Sequence, residues 1–206
     1  YSYLPYWYTL FKEHEVTGAP IIRPLWTHYP EETGTFALDD HLLVGDAILV
    51  RPVFEPSVTE VSVYFPGENQ VSWYEVDTMK EYKATGAVKI PVTLHKIPVF
   101  QRSGSIVPRK MRIRRSTAGM INDPITLVVI SDNNGYASGK LYIDDEASFE
   151  YRHGRFAYLN IEMTNNSVIK STYIDKLSTY ETGSWLERID IANPPQGVKS
   201  ARLSSK

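Results

Sequence analysis

Two adjacent carboxylates, Asp144 and Asp145, are the side chains best suited to chemistry, since paired acids can hold a hydroxyl or a cation between them. In an extended strand, however, neighbouring side chains point to opposite faces, so the two would not converge on one ligand. The residues therefore favour a turn, in which each Asp side chain accepts backbone N–H groups. A second cluster, Asp39, Asp40 and His41, lacks metal-ligand spacing, as do the five histidines His14, His28, His41, His95 and His153. These are expected to be exposed or capping polar residues. There is no cysteine, no Gly-rich phosphate loop and no Gly-x-Ser-x-Gly elbow. Thiolate metal sites, cysteine nucleophiles, nucleotide cradles and serine-hydrolase sites thus have no support.

Fourteen Tyr and four Trp residues could offer faces for stacking on sugar rings, and Trp73 with Tyr74, read as exposed beside a turn, is the best candidate. The competing reading puts strand aromatics in a core or an inter-domain seam. Arg109, Lys110, Arg112, Arg114 and Arg115 could bind phosphate, but 22 basic residues stand against 24 acidic ones, for a net charge of −2. That balance favours a solvated connector or a salt-bridge surface, and it gives no indication of a nucleic-acid or membrane-surface partner. The longest apolar run, Leu42 to Val50, is interrupted by Asp46, well short of the ~18 residues of a membrane span. Asn165-Asn166-Ser167 is an N-glycosylation sequon in an expected loop.

The elements that must position these groups are mostly strands. Hydrophobic residues make up 42% and charged residues 22% of 206, enough for one or two globular domains. Tyr3, Leu4, Trp7, Leu10 and Phe11 recur at helical spacing, with Pro5 early, Lys12 and His14 late and Gly18 beyond, which predicts one amphipathic helix over 1–17. Its apolar stripe requires a partner surface. From residue 20 onward the pattern is β-type. Val61, Val63 and Phe65 alternate before Pro66-Gly67-Glu68-Asn69, and Val71 to Val76 follows, which predicts a hairpin. Further strands are expected at 47–53, 88–92, 98–101, 106–107, 125–130, 140–143, 156–163, 168–174 and 185–191, a punctuation that favours sandwiches over α/β units. The start at Tyr1 and the lack of a signal-like leader suggest a piece of a longer protein.

Two stretches resemble family 31 of the glycoside hydrolases. Tyr1-Ser2-Tyr3-Leu4-Pro5-Tyr6-Trp7-Tyr8-Thr9-Leu10-Phe11 with Gly18-Ala19-Pro20-Ile21-Ile22-Arg23-Pro24-Leu25-Trp26 is similar to the family's last barrel helix and the entry to its proximal C-terminal β domain. Gly45-Asp46-Ala47-Ile48-Leu49-Val50 continues the match, and Leu141-Tyr142-Ile143-Asp144-Asp145-Glu146-Ala147-Ser148-Phe149-Glu150-Tyr151 resembles the distal β domain. The family has Gly where this chain has Glu146, which suggests an altered turn geometry. Ile97 to Pro108, Met111 to Ser116 and Asp123 to Leu127 are most similar to the family's endoplasmic-reticulum branch.

The resemblance implies a mainly β fold: residues 1–18 as the last helix of a (β/α)8 barrel, 19–110 as a proximal β-sandwich-like domain, and 111–206 as a distal, incomplete one. It implies a parent that is a retaining exo-α-glucosidase trimming glucose from N-linked glycans in the endoplasmic-reticulum lumen with a β subunit. The family's nucleophile motif, Trp-x-Asp-Met-Asn, is absent, so no catalytic, cofactor-binding or metal-binding residue is assigned and no cofactor is expected. The chain itself is expected to support the barrel. A carbohydrate-binding module, or the same portion of another family 31 α-glucosidase or α-xylosidase, remains as an alternative.

Overall fold

The computed structural model describes residues 1–192 apart from Thr85 and Leu177, together with Pro194, Ser200 and Arg202. The chain is mainly β, with one α-helix at the start. That helix, α1 (Leu4–Thr17), has Pro5 in its first turn, where a missing N–H costs nothing, and ends at Gly18 in the left-handed region (φ 71). The Gly18 N–H caps the His14 carbonyl at 2.8 Å.

The strands that follow are β1 (Ile22–Arg23), β2 (Leu42–Val44), β3 (Ile48–Val50), β4 (Glu60–Phe65), β5 (Ser72–Glu75), β6 (Glu81–Lys83), β7 (Gly86–Pro91) and β8 (Val99–Arg102). A six-stranded sheet runs in the order β1-β2-β3-β8-β5-β6, and β4 pairs with β7 in a separate two-stranded layer. Between the layers lies a core of Leu25, Leu43, Leu49, Val61, Val63, Phe65, Trp73, Ile90 and Phe100. Phe65 stacks on Tyr82 at 5.1 Å and meets Phe100 edge-on at 4.8 Å.

The hairpin expected across Pro66–Asn69 does not form. β4 pairs with β7, while β5 pairs with β6 and β8, so the chain crosses from one layer to the other at this corner. The physical reason is that Val61, Val63 and Phe65 on β4 and Trp73 on β5 all seek the same core. Two strands of one hairpin would lie side by side, whereas these present their apolar faces to each other. Trp73 fixes the corner by donating its indole N–H to the Pro66 carbonyl at 2.9 Å.

The second set of strands is β9 (Ser105–Arg109), β10 (Ile125–Ile130), β11 (Ala137–Ile143), β12 (Ala157–Thr164), β13 (Val168–Tyr173) and β14 (Leu186–Ala192). They form one six-stranded sheet in the order β13-β12-β11-β9-β10-β14, with β14 parallel to β10. All six residues of β10 are buried, as a strand covered on both faces requires. The change of sheet falls between β8 and β9, at Gly104 (φ 78). Buried Gln101 bridges it, donating to Ser105 Oγ and to the Val128 carbonyl, each at 3.1 Å. The Gly104 N–H bonds the Ile130 carbonyl at 2.8 Å, while Ser103 Oγ accepts from the Ser72 N–H at 3.0 Å.

Candidate functional site

The site with the most polar organisation lies where α1 meets both sheets. Strands β9 and β11 pair at a single position, Ser105↔Ser138, and Gly139 lets the two backbones pass closely, because a Cβ there would run into the Ile106 carbonyl. Helix α1 packs against both strands. Its buried residues are Pro5, Tyr6, Thr9 and Leu10. The Thr9 hydroxyl donates to the Pro5 carbonyl at 2.8 Å and accepts the Tyr142 backbone N–H at 3.0 Å, so it supplies β11 with the partner that a neighbouring strand would otherwise provide.

This buried face only partly matches the stripe expected from the sequence: Leu10 is buried, and Tyr3 and Trp7 pack against its cluster. Leu4 and Phe11 are exposed, Phe11 at 55%, and Tyr3 and Trp7 are only half-buried. The helix has apolar residues on two faces, and the face carrying Tyr6 and Thr9 wins because its hydroxyls find backbone partners. Tyr6 donates to the Val44 carbonyl at 2.8 Å, and Tyr6, Leu10, Val44, Ala47, Ile48 and Val107 form one cluster joining the helix to both sheets.

Asp144 stands at the centre of the second contact, 3% exposed. Its Oδ1 accepts the Tyr8 hydroxyl at 2.7 Å and the Glu146 N–H at 2.8 Å, and its Oδ2 accepts the Tyr142 hydroxyl at 3.0 Å. Burial, with the Asp144 carboxylate next in weight, pushes both phenols up from their ordinary range, so they remain donors. Asp145 faces the other way. Its Oδ1 accepts the Ala147 and Ser148 N–H groups at 3.2 and 3.0 Å, and its Oδ2 accepts the Ser148 hydroxyl at 2.6 Å. The bonds from Ser148 hold its carboxyl below the usual carboxylate range. The pair is thus a turn device, as its sequence suggested, and neither acid shares a ligand position with the other.

The turn geometry corrects one expectation. Glu146 has φ 54, the left-handed conformation that Gly adopts freely, so the Glu does not move the position out of that region. Burial raises its carboxyl pKa, partly offset by Lys110.

The remaining contacts of α1 were invisible to sequence spacing. The Lys12 ammonium sits over the Tyr142 and Phe156 rings at 5.5 and 5.4 Å, and Lys140 pairs with Glu13 at 2.7 Å. The Tyr8, Lys12 spacing on one helix face and the alternation around Tyr142 were the available signals, but neither names its partner.

Other candidates resolve into structural roles. Trp73, expected to be exposed, is 0% exposed, and Tyr74 is buried beside it, because both lie on a central strand of the first sheet. Exposed rings occur instead at Trp26 and Phe36, which with Pro30 line a shallow depression. His41 is buried rather than exposed: its Nε2 accepts the Tyr64 N–H at 2.9 Å, which puts the proton on Nδ1, 2.5 Å from Asp40 Oδ1. Asp40 also pairs with Arg51 at 2.6 Å. Arg114 grips Asp123 in a forked contact, Arg112 pairs with Glu187 at 2.7 Å, and Lys110 donates to the Met120 and Ile121 carbonyls. The two carboxylates neutralise Arg112 and Arg114, and the carbonyls fix Lys110. Among the described residues no group of three or more His, Asp or Glu could hold a metal, and no helix is long and apolar enough to cross a membrane.

Residues 18–107 match the model of the glycosyl hydrolase family 31 C-terminal domain. The chain carries a family 31 C-terminal domain. It is 45% identical over 194 residues to neutral alpha-glucosidase AB of Dictyostelium discoideum, covering 93% of this chain and 20% of that protein. Its fold is similar to a glucosidase II alpha subunit solved in a Glc1Man2-bound form, with 30% identity and a TM-score of 0.88 over 95% of this chain and 22% of that one. It is also similar, at 29% identity and a TM-score of 0.88, to the catalytic subunit in an ER glucosidase II heterodimer with the binding domain of the regulatory subunit, covering 96% of this chain and 22% of that one. The chain spans about a fifth of the length of the curated relatives it matches.

Proposed function

We propose that this chain is the C-terminal β portion of a retaining exo-α-glucosidase that trims glucose from N-linked glycans in the endoplasmic-reticulum lumen with a β subunit, and that its own task is to hold a catalytic barrel through α1. The observation that carries the supporting role is the outward face of the helix. Leu4, Trp7 and Phe11, together with Lys110, Met120 and Ile143, line a cavity of about 310 Å³; outside that lining, the Tyr3 hydroxyl and Arg109 Nε, each next in sequence to a lining residue, are buried without a hydrogen-bond partner. An apolar face flanked by unpaired polar groups calls for further protein surface. The units of the supporting piece are the helix, residues 19–103 and the part from Gly104 onward. What supports placing the joint there, rather than at 110, is that β9 pairs with β10.

The test uses the full-length enzyme. Phe11→Asp there lowers the melting temperature and the yield of active enzyme while leaving KM for a chromogenic α-glucoside unchanged, and the 206-residue chain alone shows no turnover. Retention of wild-type stability and activity by the Phe11→Asp enzyme, or by an enzyme truncated before Tyr1, overturns the supporting role. Turnover by the pure chain would make Asp144 and Asp145 a site after all.

A further inference from the structure

The sequence has eight asparagines and a single Asn-x-Ser/Thr sequon, Asn165-Asn166-Ser167, which the supporting role does not use. It occupies the apex of the hairpin joining β12 and β13, whose strands pair from Leu159↔Tyr173 to Thr164↔Val168. The Ser167 N–H closes the turn on the Thr164 carbonyl at 3.1 Å, and Asn165 and Asn166 both have φ 51, the positive values that a tight hairpin apex demands and that Asn tolerates best after Gly.

The two asparagines have different fates. Asn166 leans on the neighbouring turn, donating its backbone N–H to the Gly135 carbonyl at 2.9 Å. Gly135 (φ 73) cannot carry a side chain, because a Cβ would meet Asn166 Nδ2 and N at 2.8 and 2.9 Å. That neighbouring turn is itself held by Asp132, whose Oδ1 accepts the Asn134 and Tyr136 N–H groups at 2.8 and 2.9 Å. Anchoring Asn166 turns Asn165 outward, where it is exposed and its amide makes no hydrogen bond among the described residues.

We infer that Asn165 is an N-glycan acceptor, presented on this hairpin apex. The glycan is compatible with the fold. The apex lies seven residues along β12 from Tyr158, the partner of Tyr142 at the helix seam, which is roughly 20 Å of strand. A sugar there obstructs neither α1 nor the cavity beside it. No hydrogen bond is lost by modifying an exposed amide that makes none among the described residues. The inference rests on the lumenal reading above, since attachment to a sequon requires delivery to that compartment.

The experiment expresses the full-length protein in eukaryotic cells behind a host signal sequence, which delivers it to the lumen whatever its native address. Wild type shows one mobility shift attributable to this site that peptide N-glycosidase removes, and the Asn165 peptide carries the modification by mass spectrometry. Asn165→Gln and Ser167→Ala each lose that shift. Asn166→Gln keeps the sequon and keeps the shift. An unmodified Asn165 peptide in folded, lumenally delivered wild type overturns the site while leaving the enzyme reading intact. Fractionation of the source cells tests that reading separately: native protein found outside the lumen removes the lumenal assignment but not the acceptor competence.

Discussion

The two faces of α1 are both apolar in composition, and only one is committed to the rest of the chain. The inner face carries Tyr6, Thr9 and Leu10, and its two hydroxyls are each spent on a named backbone group. The outer face carries Leu4, Trp7 and Phe11 and opens on a cavity. Apolarity alone gives a helix a reason to be buried somewhere, while directional hydrogen bonds decide against what. The difference identifies the inner face as part of this chain's fold, and makes the outer face the one through which the proposed support of a barrel would act.

The most damaging test of the inner face is Gly45→Ala. Gly45 has φ 63, and a Cβ there would run into the Tyr6 hydroxyl and Leu10. Backbone strain of about 1–2 kcal/mol and overpacking of similar size add to about 3 kcal/mol lost in denaturant unfolding. A near-neutral result would mean that the helix rides loosely on the β2–β3 turn. Asp144→Ala comes next, because it strands the Tyr8 and Tyr142 hydroxyls in a buried site; the expected loss is about 2–3 kcal/mol. Asp145→Ala, in the solvent-facing half of the same turn, should destabilise measurably less, and equal effects would erase the distinction between the two acids.

A smaller effect tests the same rule in the first β unit, through pH. Burial holds the His41 pKa below its ordinary value, despite Asp40 beside it. The unfolded chain therefore binds more protons between the folded pKa and about 6.5. The stability that neutral His41 contributes is complete above that value and is lost as pH falls through the folded pKa, because protonation removes the Nε2 acceptor of the Tyr64 N–H. His41→Gln should flatten this slope in a pH series of unfolding midpoints; an unchanged slope would assign it to another group. The smallest effect is on the outer face: Leu4→Ser with Phe11→Ser should shift the stability of the chain by no more than about 0.5 kcal/mol per site. A large loss would show that this face is already part of the chain's own core.

By itself the sequence determined the helix, the extent of most strands and the turn role of Asp144 and Asp145. Each rests on local chemistry: Pro5 and Gly18 at the helix ends, β-branched alternation, and Asp side chains within reach of backbone N–H groups two or three residues on. β10 was legible to the residue, since Ile125–Ile130 is a run of β-branched and aliphatic residues. Tertiary structure alone decided what each element faces. Trp73 and Tyr74 read as exposed beside a turn until β5 took an interior place between β8 and β6, and the Pro66–Asn69 turn read as a hairpin until both flanking strands competed for one core. The choice between the two apolar faces of α1, and the convergence of Tyr8 and Tyr142 on Asp144, depend on residues more than 130 positions apart being brought into contact. No local pattern encodes such a meeting, because its energy belongs to the pair and exists only once the sheets are in place.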